Sequence, residues 1–116
     1  MDQTSLMSLV LPEGILDYFE LTDFIKSEFG FKIYLVEKNA PPIEFASDKL
    51  TSKGFFDEIT IQDYPIRGKP SYLYIKRRRW INERTRGIVY RDWNMVAKGT
   101  RMTQEFASFL KAIARF

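Results

Sequence analysis

Apolar and polar positions alternate with a period of two through most of the middle of the chain. Phe31, Ile33 and Leu35 alternate with Lys32, Tyr34 and Val36, the pattern of a strand with one buried face. Together with Leu21, Phe24 and Ile25 they predict an antiparallel hairpin, about Leu21–Lys26 and Phe29–Glu37, with Gly30 free to take the positive φ of a tight connection. A second strand is expected over Phe55–Gln62, broken by Asp63-Tyr64-Pro65 and followed by a turn at Gly68-Lys69-Pro70. Tyr72 to Trp80 and Ile88 to Trp93 read as a further hairpin joined by Asn82–Gly87. Elsewhere the period changes to that of a helix. Leu11, Ile15, Leu16 and Phe19 predict a short helix over Pro12–Phe19. Phe106, Phe109, Leu110 and Ile113 predict a core-facing helix over Thr103–Arg115, with Thr103 as its N-cap, Glu105 in the first turn and Lys111 and Arg115 toward its end. Asn39–Lys53 contains Pro41-Pro42 and is expected to be a loop that packs Ile43, Phe45 and Leu50 inward; Met95–Gly99 is expected to be a connector.

The elements sum to a small α+β fold: an N-terminal helix and hairpin, a ribbon-like antiparallel sheet and a C-terminal helix. At 116 residues the default is one domain, residues 1–116, with an acidic part over 1–38 and a basic part over 54–116. Hydrophobic residues make up 45% of the chain, enough for a core. With neither cysteine nor histidine, the sequence has no disulfide, no Cys or His catalysis and no zinc site of the usual ligands. No cofactor is expected, and the scattered carboxylates read as surface charge rather than a metal site. No apolar run reaches the length of a membrane span. The first residues lack the positive segment of a signal peptide, so a cytoplasmic location is expected.

Charge changes the picture more than composition does. Residues 1–63 hold five lysines, no arginine and twelve acids, a net of −7, whereas residues 64–116 hold thirteen Lys or Arg and three acids, a net of +10. Such a split either meets a polyanion or neutralises itself across the fold. The densest stretch is Lys76-Arg77-Arg78-Arg79-Trp80, at the end of an aromatic strand. On a regular strand, Tyr72, Tyr74, Lys76, Arg78 and Trp80 share one face and Leu73, Ile75, Arg77 and Arg79 the other. Both faces cannot be core there, so that end is expected to project toward solvent or a ligand. Adjacent cations repel one another, and a phosphate backbone relieves that repulsion. Candidate phosphate contacts are Lys69, Lys76, Arg77, Arg78, Arg79, Arg84, Arg86, Arg91 and Lys98, and Trp80 and Trp93 are either core or base-stacking platforms. Asp92, between Arg91 and Trp93, is expected to pair with a neighbouring arginine.

The run ITIQDYPIRGKPSYLYIKRRRWINERTRGIVYRDWNMVAKGTRMTQEFASFLKAI resembles the N-terminal region of a family of bacterial insertion-sequence transposases. In some of these elements that region is a separate short protein encoded ahead of the DDE-type catalytic part. The matching features are Asp63-x-Pro65 followed by Gly68, the aromatic-aliphatic strand, Arg77-Arg78-Arg79-Trp80, and Thr103 before the last helix; Leu11-Pro12-Glu13-Gly14 through Lys38 also looks like the start of such proteins. Larger relatives carry a zinc ribbon here. Ile81–Gly87 and Asn39–Asp48, which stand near the expected knuckles, have no ligand for one. The resemblance therefore implies a metal-free, zinc-ribbon-like domain that binds double-stranded DNA at the terminal inverted repeats. It would cut nothing itself and would work with a separate catalytic subunit. Two other readings stay open from the residues. One is a single-strand or RNA binder that stacks bases on Tyr72, Tyr74, Trp80 and Trp93. The other is an interaction module that docks through its acidic front or its last helix.

Overall fold

A computed structural model describes residues 10–99 and 104–116, with side chains through 97 and from 105. The chain begins with one helical turn, α1 (Ile15–Tyr18), then β1 (Phe19–Ser27) and β2 (Gly30–Glu37). After a 3-10 turn at Ile43–Phe45 come β3 (Leu50–Phe55), β4 (Ile59–Ile66), β5 (Lys69–Lys76), β6 (Arg78–Asn82) and β7 (Ile88–Val89). Helices α2 (Trp93–Gly99) and α3 (Gln104–Ala114) complete it. The strands form two sheets, one in the order β1-β2-β5-β4 and one in the order β3-β6-β7. Only β2 and β5 run parallel; all other pairs are antiparallel. The α+β class expected from the sequence is the class observed.

The alternation explains which face of the larger sheet is buried. Ile33, Leu35, Leu73 and Ile75 are at most 1% exposed, and Ile59 and Ile61 extend their row onto β4. Leu11, Ile15, Phe19, Trp93, Phe106, Phe109, Leu110 and Ile113 join the same cluster. Each fully buried Leu or Ile contributes about 1.5–3 kcal/mol by leaving water. Phe19 anchors the cluster with its ring 5.3 Å from Trp93 and 5.9 Å from Phe109.

Several boundaries differ from the sequence reading. The first helix is a single turn because Phe19 already pairs with Glu37 in the sheet. Pro65 does not end β4: the strand lies at the sheet edge, where a missing N–H costs little, and the ladder shifts register between Asp63 and Ile66. The turn sits one residue earlier than expected, at Arg67-Gly68, whose φ values of 51° and 77° suit a two-residue hairpin. The Asn39–Lys53 loop becomes strand β3 from Leu50 onward, and Ile43 is 86% exposed rather than packed inward. The connector after Asn94 is helix α2. Asp92 caps it, accepting from the backbone N–H of Asn94 at 3.0 Å and Met95 at 3.2 Å, and so is not an arginine's ion-pair partner. The expected N-cap Thr103 lies outside the described residues.

The basic segment turns a corner at Arg77. The sequence predicts one long basic strand from Tyr72 to Trp80. The structure breaks it at Arg77, so that β5 belongs to the first sheet and β6 to the second. The Arg77 carbonyl accepts from Phe56 N–H at 2.9 Å, which holds the bend against the end of β3. Beyond the bend, side-chain alternation restarts, and Trp80 becomes fully buried instead of sharing an exposed face with Lys76.

Candidate nucleic-acid interface

The break at Arg77 separates the arginines into two kinds. Arg78 is held by several contacts. Its backbone N–H donates to Glu37 Oε1 at 3.0 Å, its Nε to the Glu37 carbonyl at 3.1 Å and its Nη1 to Ser52 Oγ, while its guanidinium lies 4.6 Å from the Phe55 ring centroid. Arg91 is only 9% exposed. It donates from Nη1 to Glu37 Oε2 at 2.7 Å and from Nη2 to the Ala40 carbonyl, within 6 Å of the rings of Tyr18, Trp80 and Trp93. Glu37 therefore ends β2 of one sheet and fastens β6 of the other. Burial pushes its carboxyl above the usual range, and the Arg78 N–H and the Arg91 charge pull against that. Arg78 and Arg91 are thus structural in their contacts, with most of each guanidinium engaged inside the protein.

Arg77 and Arg79 are the other kind. Both guanidiniums lie over Phe56, 5.2 and 5.4 Å from the ring centroid. The Nε of each is buried without a hydrogen-bond partner. Arg79 makes one long bond, from Nη2 to the Lys53 carbonyl at 3.4 Å, and Arg77 makes none from its side chain. Burial lowers the Arg77 pKa, and Glu37 partly restores it. Two like charges held on one ring without an acid are poorly satisfied, and an anion would relieve both.

The remaining candidates are spread out. Arg84 grips Asp48 through Nε at 2.8 Å and Nη2 at 3.1 Å, which lowers the Asp48 carboxyl to about 2. Its side chain is nonetheless 69% exposed. Arg86 is freer, 82% exposed and 3.7 Å from Glu83. Lys76 is exposed beside the corner, while Lys69 is half-buried at the other end of β5. At about 3.3 Å per residue the strand sets Lys69 about 26 Å from Arg77, so the two cannot share one phosphate. The side chain of Lys98 lies outside the described residues.

Neither tryptophan offers a ring face. Trp80 is fully buried and donates from Nε1 to Asn39 Oδ1 at 2.9 Å, and Trp93 is 6% exposed. The core alternative holds for both: Trp93 belongs to the cluster that α1 and α3 close, and Trp80 is buried in the second sheet, outside that cluster. Tyr72 and Tyr74 are half-buried on the opposite side of β5 from Leu73 and Ile75. Tyr74 stacks face to face on Tyr34 at 4.8 Å, so one face of its ring is taken.

Some participants escaped the sequence reading. Phe55 and Phe56 are the platforms beneath the arginines, signalled only by an adjacent aromatic pair before an acidic break. Tyr90 is 57% exposed with its ring set edge-on to Phe56 at 5.3 Å. Arg67 stands exposed at the β4–β5 turn. Among the described residues no three acids gather into a group that could hold a metal ion, and no helix is long and apolar enough to cross a membrane. Comparison with family models, with curated proteins and with solved structures finds no match for this chain.

Proposed function

We propose that the chain is the non-catalytic DNA-binding part of a split insertion-sequence transposase, recognising the element's terminal inverted repeats for a separate DDE-type catalytic part. The observation that carries the DNA-binding reading is the pair of guanidiniums at Arg77 and Arg79. They have no acid partner, they share the Phe56 ring, and exposed Lys76 adjoins them. Phosphate oxygens would supply the acceptors both lack. Such contacts set position on the duplex rather than sequence choice. The assignment to a transposase rests on the sequence resemblance alone. A cytoplasmic location belongs to the same reading.

A salt-dependent titration tests it, comparing duplex carrying the element's ends with scrambled duplex and with single strand. About six neutralised phosphates would give a slope of log K against log salt near −5, and removing Arg77 and Arg79 together should reduce it to near −3. Preference for the end sequence would support the transposase assignment. Equal, feeble binding of wild type and Arg77/Arg79→Ala to every oligonucleotide would rule the reading out.

A further inference from the structure

Beside the corner is a pocket of about 360 Å³, bounded by Arg77, Tyr90, Asn94, Ile113 and Phe116. We propose that this pocket holds a single nucleotide unit, and that in DNA it takes an unpaired nucleotide next to a duplex. This deepens the DNA-binding reading and rests on it for the strand that delivers the nucleotide.

The pocket offers what the two ends of a nucleotide need. For the phosphate there is Arg77, whose side chain makes no hydrogen bond or ion pair and whose Nε is buried without a partner. The other charges nearby are already committed. The Glu37 carboxylate is occupied by Arg91 and by the Arg78 N–H. The Asp92 carboxylate is turned onto the backbone of α2. Counting the side chains of Arg77, Arg78 and Arg91 against those of Glu37 and Asp92, the lining side chains carry one net positive charge. For the base there are rings. Tyr90 is pinned against Phe56 yet 57% exposed, and Phe116 is 63% exposed. Asn94 places an amide, both donor and acceptor, on the same wall, the chemistry that reads a base edge. A bare phosphate would use only the guanidinium and leave the aromatic wall wet. The volume lies at the small end of the range for ligand pockets, as one nucleotide requires. A base paired within a duplex cannot enter, because it is stacked on both sides; an unpaired one can.

The test uses the intact chain and measures binding to a blunt duplex, to the same duplex with one overhanging adenine, and to free deoxyadenosine monophosphate. Inorganic phosphate and deoxyadenosine are the controls. Wild type should bind the overhang duplex about tenfold more tightly than the blunt one. Tyr90→Ala, at an exposed position where folding is not at risk, should bring that ratio to about one, and Asn94→Ala should reduce it. Free deoxyadenosine monophosphate should bind more tightly than phosphate, and Tyr90→Ala should abolish the difference. A nucleotide preference of this kind without an overhang preference would support the pocket and assign it to the free nucleotide. Equal binding of both duplexes, with the nucleotide no better than phosphate, would overturn the proposal, and continued blunt-duplex binding would then leave the DNA-binding reading standing. An overhang preference that survives both substitutions would also overturn it, since it would arise elsewhere. Nucleotide binding sensitive to Tyr90→Ala, without any duplex binding, would uphold the pocket and sink the duplex reading.

Discussion

The two sheets are held together by different physics. The four-stranded sheet buries a continuous hydrocarbon layer, with Ile33, Leu73 and Ile75 wholly inaccessible and α1 and α3 packed over them. The three-stranded sheet contributes no residue to that cluster. Trp80 is its one buried aromatic, and polar links do the rest: Trp80 to Asn39, Asn82 to Asp48, Arg78 to Glu37 and Ser52. A sheet built this way can carry many arginines, because some of them are its fasteners. Charge density in the sequence therefore overstates the charge free for a ligand. Asp48 and Glu37, from the acidic half, neutralise Arg84 and Arg91, while Arg77 and Arg79 stay unpaired.

The contrast can be broken most severely at Glu37. Glu37→Ala would strand Arg91 as a buried, unpaired cation and cut the tie between the sheets, at a cost of about 3–5 kcal/mol, read as a fall in the urea midpoint. Leu73→Ala should cost about 2–5 kcal/mol by leaving a cavity in the hydrocarbon layer, and should loosen the first sheet without altering the guanidiniums on Phe56. Arg78→Ala should cost about 2 kcal/mol through its lost charged hydrogen bonds. By comparison Arg77→Ala and Arg79→Ala should each cost about 0.5–1 kcal/mol, the value of an exposed cation–π contact. If Arg77→Ala proved as destabilising as Arg78→Ala, the division into fasteners and free cations would fail.

The smallest effect is one of pH. The carboxyl of Asp48 falls from 3.8 to about 2 on folding, so its contribution is fully present above pH 3.8 and is lost as the pH falls toward 2. Glu37 runs the other way. Its folded pKa is raised above 4.5, so its contribution is complete below that pH and is lost as the pH rises through the raised value. Thermal melts from pH 2 to 7 should show a steeper acid limb in wild type than in Asp48→Asn, and a flatter profile above pH 4.5 in Glu37→Gln.

The first hairpin was legible because Phe31, Ile33 and Leu35 keep a strict period, and Gly30 has a backbone reason: its φ is 136° and a Cβ there would strike the Pro70 carbonyl. The last helix was legible for the same kind of reason, its apolar positions recurring every three or four residues. The bend at Arg77 was not. Aromatic and aliphatic residues alternate through Tyr72–Ile75, the four cations Lys76–Arg79 carry no signal of a bend, and the break comes with a backbone bond to Phe56, a tertiary contact invisible to local pattern. With the bend missed, Arg78 reads as a free cation; Arg91 is drawn in by Glu37, a separate tertiary contact, and the burial of Trp80 is the core alternative that the sequence offered. Asn82 shows the same limit. Its side chain accepts from the N–H of Arg84 at 3.0 Å and organises the turn, a role that a polar connection does not announce.

The parallel pairing of β2 with β5 has a consequence for how the chain reaches this fold. The β1–β2 and β4–β5 hairpins can each form from neighbouring residues. Their union joins Phe31 to Ser71 and Val36 to Lys76, contacts forty residues apart in sequence, and so must close the connection over residues 38–58, which contains the whole of β3. Assembly is therefore expected to be slow for a chain of this size, with the two hairpins early and their docking at the barrier. Arg78 and Arg91 gain their Glu37 partner only when that docking is complete, so the cationic corner would be among the last parts of the molecule to take shape.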